Sequence, residues 1–178
     1  MSLVFDVEAI PEDEGLDLEL SESRKRFRIE AEDCSLARDI DLDGHLSRVG
    51  REAFFKGRVK TSLNLTCSRC LEPFQMEVDA EVSACFLPQP AQAPGEEMEL
   101  NPADIEVEYY TENNIDLSQP VYDQILLTLP FVRLCRPDCR GLCPRCGINR
   151  NQEVCQCEED KPLDPRLAVL KQLKDKMK

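Results

Sequence analysis

From Ala53 to Leu65 every second residue is apolar or small. Ala53, Phe55, Gly57, Val59, Thr61, Leu63 and Leu65 fall on one side of an extended chain, and Lys56, Arg58, Lys60, Ser62 and Asn64 fall on the other. A period of two is that of a β-strand with one face turned inward. Beyond Cys67-Ser68-Arg69-Cys70 and Pro73 the alternation resumes, with Phe74, Met76, Val78, Ala80, Val82, Ala84 and Phe86 against Gln75, Glu77, Asp79 and Glu81. The two runs predict a hairpin with the C-x-x-C at its tip. Its outer face places Lys56, Arg58 and Lys60 near Glu77, Asp79 and Glu81, so opposite charges on neighbouring strands satisfy each other. Ile40, Leu42, Gly44 and Leu46, alternating with Asp39, Asp41, Asp43 and His45, predict a preceding strand that turns around Gly50. Leu3 to Val7, Phe27 to Ala31 and Ile105 to Tyr110 are further strand candidates, giving an antiparallel sheet of at least four strands.

The pattern then changes. Residues 88–97 are rich in proline and have little to bury, which predicts a mobile loop. Ser118-Gln119-Pro120 starts a helix, Val121, Ile125, Leu126 and Leu129 recur at helical spacing, and Pro130 stops it, so a helix over 118–129 is expected on the sheet. A second helix opens at Asp164-Pro165 and runs through Leu167, Leu170, Leu173 and Met177. Its other face carries Arg166, Lys171, Lys174, Lys176 and Lys178, where cations near a C-terminus complement the helix dipole. The organisation read from this is an α+β fold: an antiparallel sheet with a covering helix over 1–130, a cysteine-rich zinc-knuckle region over 131–160, and a basic C-terminal helix over 161–178.

Composition sharpens this picture in one respect. The 178 residues carry a net charge of -13, but from Phe131 onward there are eleven basic and seven acidic residues. The tail is therefore +4 and the body -17, and no Lys or Arg occurs between Leu71 and Pro130. That stretch should repel phosphate, whereas the arginines of the tail could bind it; composition alone favours the plainer role of keeping a cysteine-rich loop soluble or complementing the acidic body. No apolar run approaches the roughly 18 residues that span a bilayer, and the N-terminus lacks the pattern of a signal peptide, so a cytoplasmic protein without membrane contact is expected.

Ten cysteines in a reducing compartment point to metal rather than disulfides. Eight fall into pairs: Cys67 and Cys70, Cys135 and Cys139, Cys143 and Cys146, Cys155 and Cys157. Cys143-Pro144-Arg145-Cys146-Gly147 has the form of a zinc knuckle, and Cys155-Gln156-Cys157 would complete a four-thiolate site. Cys67 and Cys70 with Cys135 and Cys139 would form a second, provided the fold joins them. A single site drawn from the six tail cysteines, an iron-sulfur cluster and a redox C-x-x-C are the alternatives. Two zinc ions are expected, with one as the minimum. Cys34 and Cys85 read as small packed side chains. No catalytic set emerges, since the single histidine, His45, has no assignable cysteine or serine partner and four-cysteine sites are closed, so the chain is expected not to be an enzyme.

Four segments carry a resemblance: Cys67-Ser68-Arg69-Cys70-Leu71-Glu72-Pro73-Phe74, Ile125-Leu126-Leu127-Thr128-Leu129-Pro130, residues 139–149 from Cys139-Arg140-Gly141 to Gly147-Ile148-Asn149, and residues 164–170 from Asp164-Pro165-Arg166 to Leu170. With these the chain resembles the bacterial and plastid large ribosomal RNA subunit accumulation protein family. The resemblance implies a role in accumulation or processing of large-subunit (23S) ribosomal RNA, hence in ribosome biogenesis, with that RNA or a precursor subunit as partner. In this reading the knuckles hold Arg136, Arg140, Arg145 and Arg150 toward the RNA. Two other classes stand beside it: an iron-sulfur or redox protein, and a zinc-ribbon adaptor whose acidic body binds a basic ribosomal protein.

Overall fold

A computed structural model describes residues 3–25, 27, 29, 34–89 and 107–157. The strand expected over Phe27 to Ala31 falls partly outside these residues, and Phe27 and Ile29 themselves are not in a strand. The proline-rich loop beyond Gln89 and the basic helix expected from Asp164 lie outside them altogether.

The elements in chain order are β1 (Val4–Asp6), a 3-10 turn (Val7–Ala9), β2 (Leu16–Glu22), β3 (Cys34–Leu36), β4 (Ile40–Val49), β5 (Glu52–Thr66), β6 (Pro73–Pro88), β7 (Val107–Tyr110), β8 (Asn114–Asp116) and α1 (Ser118–Leu127). The predicted hairpin is the spine of the molecule: β5 and β6 pair over their whole length, from Ala53 opposite Phe86 to Thr66 opposite Pro73. Around it the sheet runs β2-β4-β5-β6-β7, with β3 paired to the far end of β5. β2 joins by the same alternation as its neighbours, Leu18 opposite Gly44 and Leu20 opposite Leu42. β1 does not join this sheet but pairs with β8 in a two-stranded one.

The sheet is not wholly antiparallel, as the alternation pattern led us to expect: β7 runs parallel to β6, Cys85 opposite Val107 and Leu87 opposite Tyr109. Two parallel neighbours need a connection of a dozen or more residues to bring the chain back to the same end. The 18 residues between Pro88 and Val107 supply that length.

The inward face packs as the period of two requires. Phe55, Val59, Leu63 and Leu65 of β5, Val78, Val82 and Phe86 of β6 and Ile40, Leu42 and Leu46 of β4 form one buried cluster. α1 lays Val121 and Ile125 on it. The helix ends two residues short of its expected extent, where the N–H of Thr128 reaches back to the carbonyls of Gln124 and Ile125 and its hydroxyl donates to the Ile125 carbonyl at 2.7 Å.

On the outer face Arg58 sits 3.3 Å from Asp79 and 3.9 Å from Glu81, the cross-strand pairing expected of it. Lys60 turns the other way, to Asp43 of β4 at 3.9 Å. These exposed pairs are worth little each, but they set carboxylates against two of the three cations of the β5 cluster, Arg58 and Lys60. Among the described residues no helix is long and apolar enough to cross a membrane.

Candidate metal centre

At the tip of the hairpin the chain makes a tight turn. The Cys67 N–H donates to the Glu72 carbonyl at 2.9 Å and the Leu71 N–H to the Cys67 carbonyl at 2.9 Å. The same two bonds recur in the tail, from the Cys143 N–H to Ile148 at 2.8 Å and from the Gly147 N–H to Cys143 at 2.9 Å. The chain has therefore built one knuckle twice. In each the residue after the second cysteine is left-handed, φ +60° at Leu71 and +73° at Gly147. Glycine takes that conformation freely, whereas a leucine there is strained by roughly 1 kcal/mol. Leu71 is 62% exposed, so little packing would be lost with it. We expect Leu71→Gly to stabilise the protein by about 1 kcal/mol, read as a raised denaturant midpoint at unchanged m-value. A lowered midpoint would show that the leucine side chain is held by something other than its own turn.

Two sets of four thiols converge. Cys67, Cys70, Cys135 and Cys139 form one, and Cys143, Cys146, Cys155 and Cys157 the other, with the sulfurs of each set within 4.8 Å of one another. Cys135 and Cys139 thus go to the hairpin tip, not to a single site shared with the other tail cysteines. For a tetrahedral ion with metal-sulfur bonds of about 2.3 Å, the sulfurs stand about 3.8 Å apart. In the first set Cys67 and Cys139 are 3.8 Å apart and Cys70 and Cys135 3.6 Å. In the second, Cys146 and Cys155 are separated by 3.5 Å and Cys143 and Cys155 by 3.3 Å. Both donor sets fit one ion each. The first set is largely enclosed, and the second leaves Cys146 exposed. Cys34 and Cys85 stand apart from both sets, each a thiol that burial holds above its ordinary pKa.

Within each set the backbone prepares one thiolate. Burial would raise the Cys67 thiol, but the amides of Cys135, Cys70 and Arg69 point at its sulfur and bring it down to about 6. Cys143 comes down to about 5 because the amides of Cys146 and Arg145 donate to it. Four thiolates in one pocket repel, so the last members resist ionisation. Cys135 is pushed up to about 12 by burial and then by its sulfur neighbours, and Cys157 up to about 12 by hydrogen bonds to Cys155 and Cys146. A divalent cation would meet a lowered thiol at Cys67 and Cys139 in the first set and at Cys143 in the second, and would displace protons from the rest.

The two knuckles are tied together by residues that spacing did not reveal. Arg69 donates from Nη1 to the Cys139 carbonyl at 3.0 Å and accepts from the Leu142 N–H at 3.0 Å, while the Ser68 N–H donates to the Arg133 carbonyl at 2.8 Å. Gly141, at φ +69°, lies so close that a Cβ there would stand 2.8 Å from the Arg69 carbonyl oxygen. Glu72 accepts from Asn149 at 3.4 Å and from Gln152 at 3.3 Å. Asn151 accepts from the Arg140 N–H at 2.8 Å and donates to Cys139 Sγ at 3.3 Å; that hydrogen bond is the first cause of the lowered Cys139 pKa. No sequence signal marks Asn151, whereas Arg69, Glu72, Gly141 and Asn149 fall within the segments that carry the family resemblance.

The four arginines are placed differently. Arg140 and Arg145 have exposed side chains, Arg136 lies 3.6 Å from Asp138, and Arg150 is half-buried with Nη2 donating to Cys143 Sγ at 3.8 Å. His45 lies on the outer face of β4, 2.7 Å from Asp17 and far from both sulfur sets in sequence and strand.

The family model of the large ribosomal RNA subunit accumulation protein YceD matches residues 55–174. An uncharacterized protein of Mycobacterium tuberculosis is 36% identical over 131 residues, 74% of this chain and 60% of its own length. The chloroplastic large ribosomal RNA subunit accumulation protein YCED homolog 1 of Arabidopsis thaliana is 25% identical over 144 residues, 67% of this chain and 45% of its own, and that of Zea mays 27% over 128 residues, 57% and 43%. The chain spans about 60% or less of the length of these relatives. No solved structure matches. The matched region takes in the hairpin and all eight paired cysteines.

Proposed function

Since the chain belongs to the large ribosomal RNA subunit accumulation protein family, we propose that it is a non-catalytic ribosome-biogenesis factor whose two zinc centres fix arginine-bearing loops against large-subunit RNA. The observation that carries this reading is the closed geometry of the two sulfur sets next to Arg140 and Arg145. Four thiolates leave no open position for a hydrolytic water, so the ions serve to hold backbone in place. They would do so through Cys67, Cys70, Cys135 and Cys139 at the hairpin and through Cys143, Cys146, Cys155 and Cys157 in the tail. Sulfur separations near 3.5 Å suit a single ion; an iron-sulfur cluster, itself several ångströms across, spreads its ligands further. Metal analysis of the native protein should return zinc, and iron with visible colour would sink this part.

The tail is where phosphate would be met. Between Phe131 and Cys157 there are five arginines against Asp138 and Glu153. Charge reversal of Arg140 and Arg145 together should weaken association with large-subunit RNA or its precursor particle by about tenfold or more, and lower the salt dependence of binding by about two phosphate contacts. Zinc content and the unfolding midpoint serve as controls. Unchanged, salt-insensitive binding would favour the second reading, an adaptor for a basic ribosomal protein. What speaks for that reading is the outer face of β2 and β4, which carries Asp17, Glu19, Asp41 and Asp43.

A further inference from the structure

We infer that the two four-cysteine centres load interdependently, with Asn151 as the positioning group between them. This rests on reading both as metal centres and says how they act on each other. Asn151 sits in the loop of eight residues between Cys146 and Cys155, both ligands of the second centre. Its carboxamide nevertheless serves the first. Oδ1 accepts the Arg140 N–H at 2.8 Å, which fixes the orientation of the amide and aims Nδ2 at Cys139 Sγ, 3.3 Å away.

Two further contacts make the link short. The Asn151 N–H donates to Asn149 Oδ1 at 3.0 Å, and the Arg150 N–H donates to the Gly141 carbonyl at 2.9 Å, so the loop lies along the segment joining Cys139 to Cys143. That segment is three residues long, and Arg69 grips both ends of it through the Cys139 carbonyl and the Leu142 N–H.

The energetic consequence follows from the charge of the centre. A divalent ion with four thiolates carries about two net negative charges, and each N–H donor aimed at a sulfur offsets part of that. Asn151 acts as a donor best while its loop is closed, and an ion shared by Cys146 and Cys155 would add to the bonds of Asn149 and Arg150 that hold the loop. Without that ion the loop gains conformational freedom, and the donor to Cys139 is weakened. Linkage then makes the effect reciprocal: an ion on the first centre fixes Cys139 and so pre-sets Cys143 four residues on. Removing a partner that holds a metal ligand costs tenfold to a hundredfold in affinity as a rule; the coupling expected here is about tenfold.

The test is a Co²⁺ titration of the full chain, stripped of metal under reducing conditions, followed by its thiolate-to-cobalt charge-transfer absorption. The wild type is compared with Asn151→Ala, Asn151→Asp and the double change Cys143→Ser with Cys146→Ser. Wild type should take up two ions with positive cooperativity. The double cysteine variant should take up one, about tenfold more weakly than the wild-type first centre. Asn151→Ala should do the same to the first centre while keeping both ions, and its charge-transfer band should move to lower energy because Cys139 has lost a donor. Asn151→Asp keeps the shape of the side chain but puts a carboxylate against a thiolate, so it should be weaker still; a merely steric role predicts wild-type behaviour. Two ions bound with affinities indifferent to Asn151→Asp would overturn the coupling and leave the metal reading intact. A wild-type chain that takes up no cobalt would overturn both.

Discussion

Changing Cys67 and Cys70 together to serine should detach the tail from the sheet while leaving the sheet folded. The sulfurs of the first set form a small buried cluster with Leu134 and Phe74, and among the described residues Phe74 is the one side chain of it that also packs on the main apolar core under β4, β5 and β6. Among the described residues the other hydrogen bonds from tail to hairpin are those of Ser68 and Arg69, and Glu72 to the amides of Asn149 and Gln152. Exposed hydrogen bonds contribute about 1 kcal/mol each, whereas a structural zinc site contributes on the order of 10 kcal/mol. On the zinc reading the metal term dominates, so loss of the first centre frees residues 131–142 from the hairpin while the second centre still closes 143–157. Limited proteolysis should then cut within 131–142 at sites protected in the wild type, zinc should fall by at least one ion per chain, and the main unfolding transition should persist. Loss of that main transition would mean the sheet depends on the metal, and an uncut tail would mean the metal does not hold it. The pair Cys143→Ser with Cys146→Ser should free less of the chain, because the first set, which joins the tail to the hairpin, keeps all four of its cysteines.

How far the sequence carried depended on the range of the interactions involved. The β5–β6 hairpin was legible because alternation is local and repeated, from Phe55 to Leu65 and again from Phe74 to Phe86. β2 carries the same signal in Leu16, Leu18 and Leu20 against Asp17 and Glu19, yet it passed unread among a run of acidic residues. The parallel placement of β7 was not legible, because four residues of strand fix a direction only through the partner they find. The sulfur pairing was readable as an expectation, since four pairs make two tetrahedra, but whether Cys135 and Cys139 belonged to the hairpin or to the tail depended on where α1 delivers the chain. Asn151 had no local pattern at all, and Arg69 and Glu72 stood inside the first resemblance segment with no bridging role readable from it. Each acts across the gap between the knuckles, a distance in sequence that periodicity does not encode.

Gly57→Ala should destabilise the sheet by about 3 kcal/mol, an effect that strand propensity alone would predict with the opposite sign. Alanine is ordinarily worth 0.5 to 1 kcal/mol more than glycine in a strand. Here Gly57 of β5 faces Gly44 of β4, and the ring of Phe55 lies over the pair. A Cβ at Gly57 would fall on the Asp43 carbonyl oxygen, 2.6 Å from Phe55 Cζ and 2.9 Å from the Gly44 Cα. Two of those three atoms are backbone of the paired strand and cannot rotate away, so β4 must separate from β5 or the ring must leave its well. Trimming Phe55 to alanine removes only the ring, so it should not rescue the variant and should itself cost about 3 to 5 kcal/mol. Gly50 is the informative contrast. It lies at φ +61° with nothing within 4 Å of a Cβ, so Gly50→Ala should cost only the left-handed strain, about 1 kcal/mol. Denaturant unfolding of the three variants separates the two costs, space at Gly57 and conformation at Gly50. Because Gly57 lies well back from the hairpin tip, zinc content should stay at the wild-type level in all of them below their midpoints; a loss of zinc from folded Gly57→Ala would show that the register of β4 against β5 reaches the knuckle.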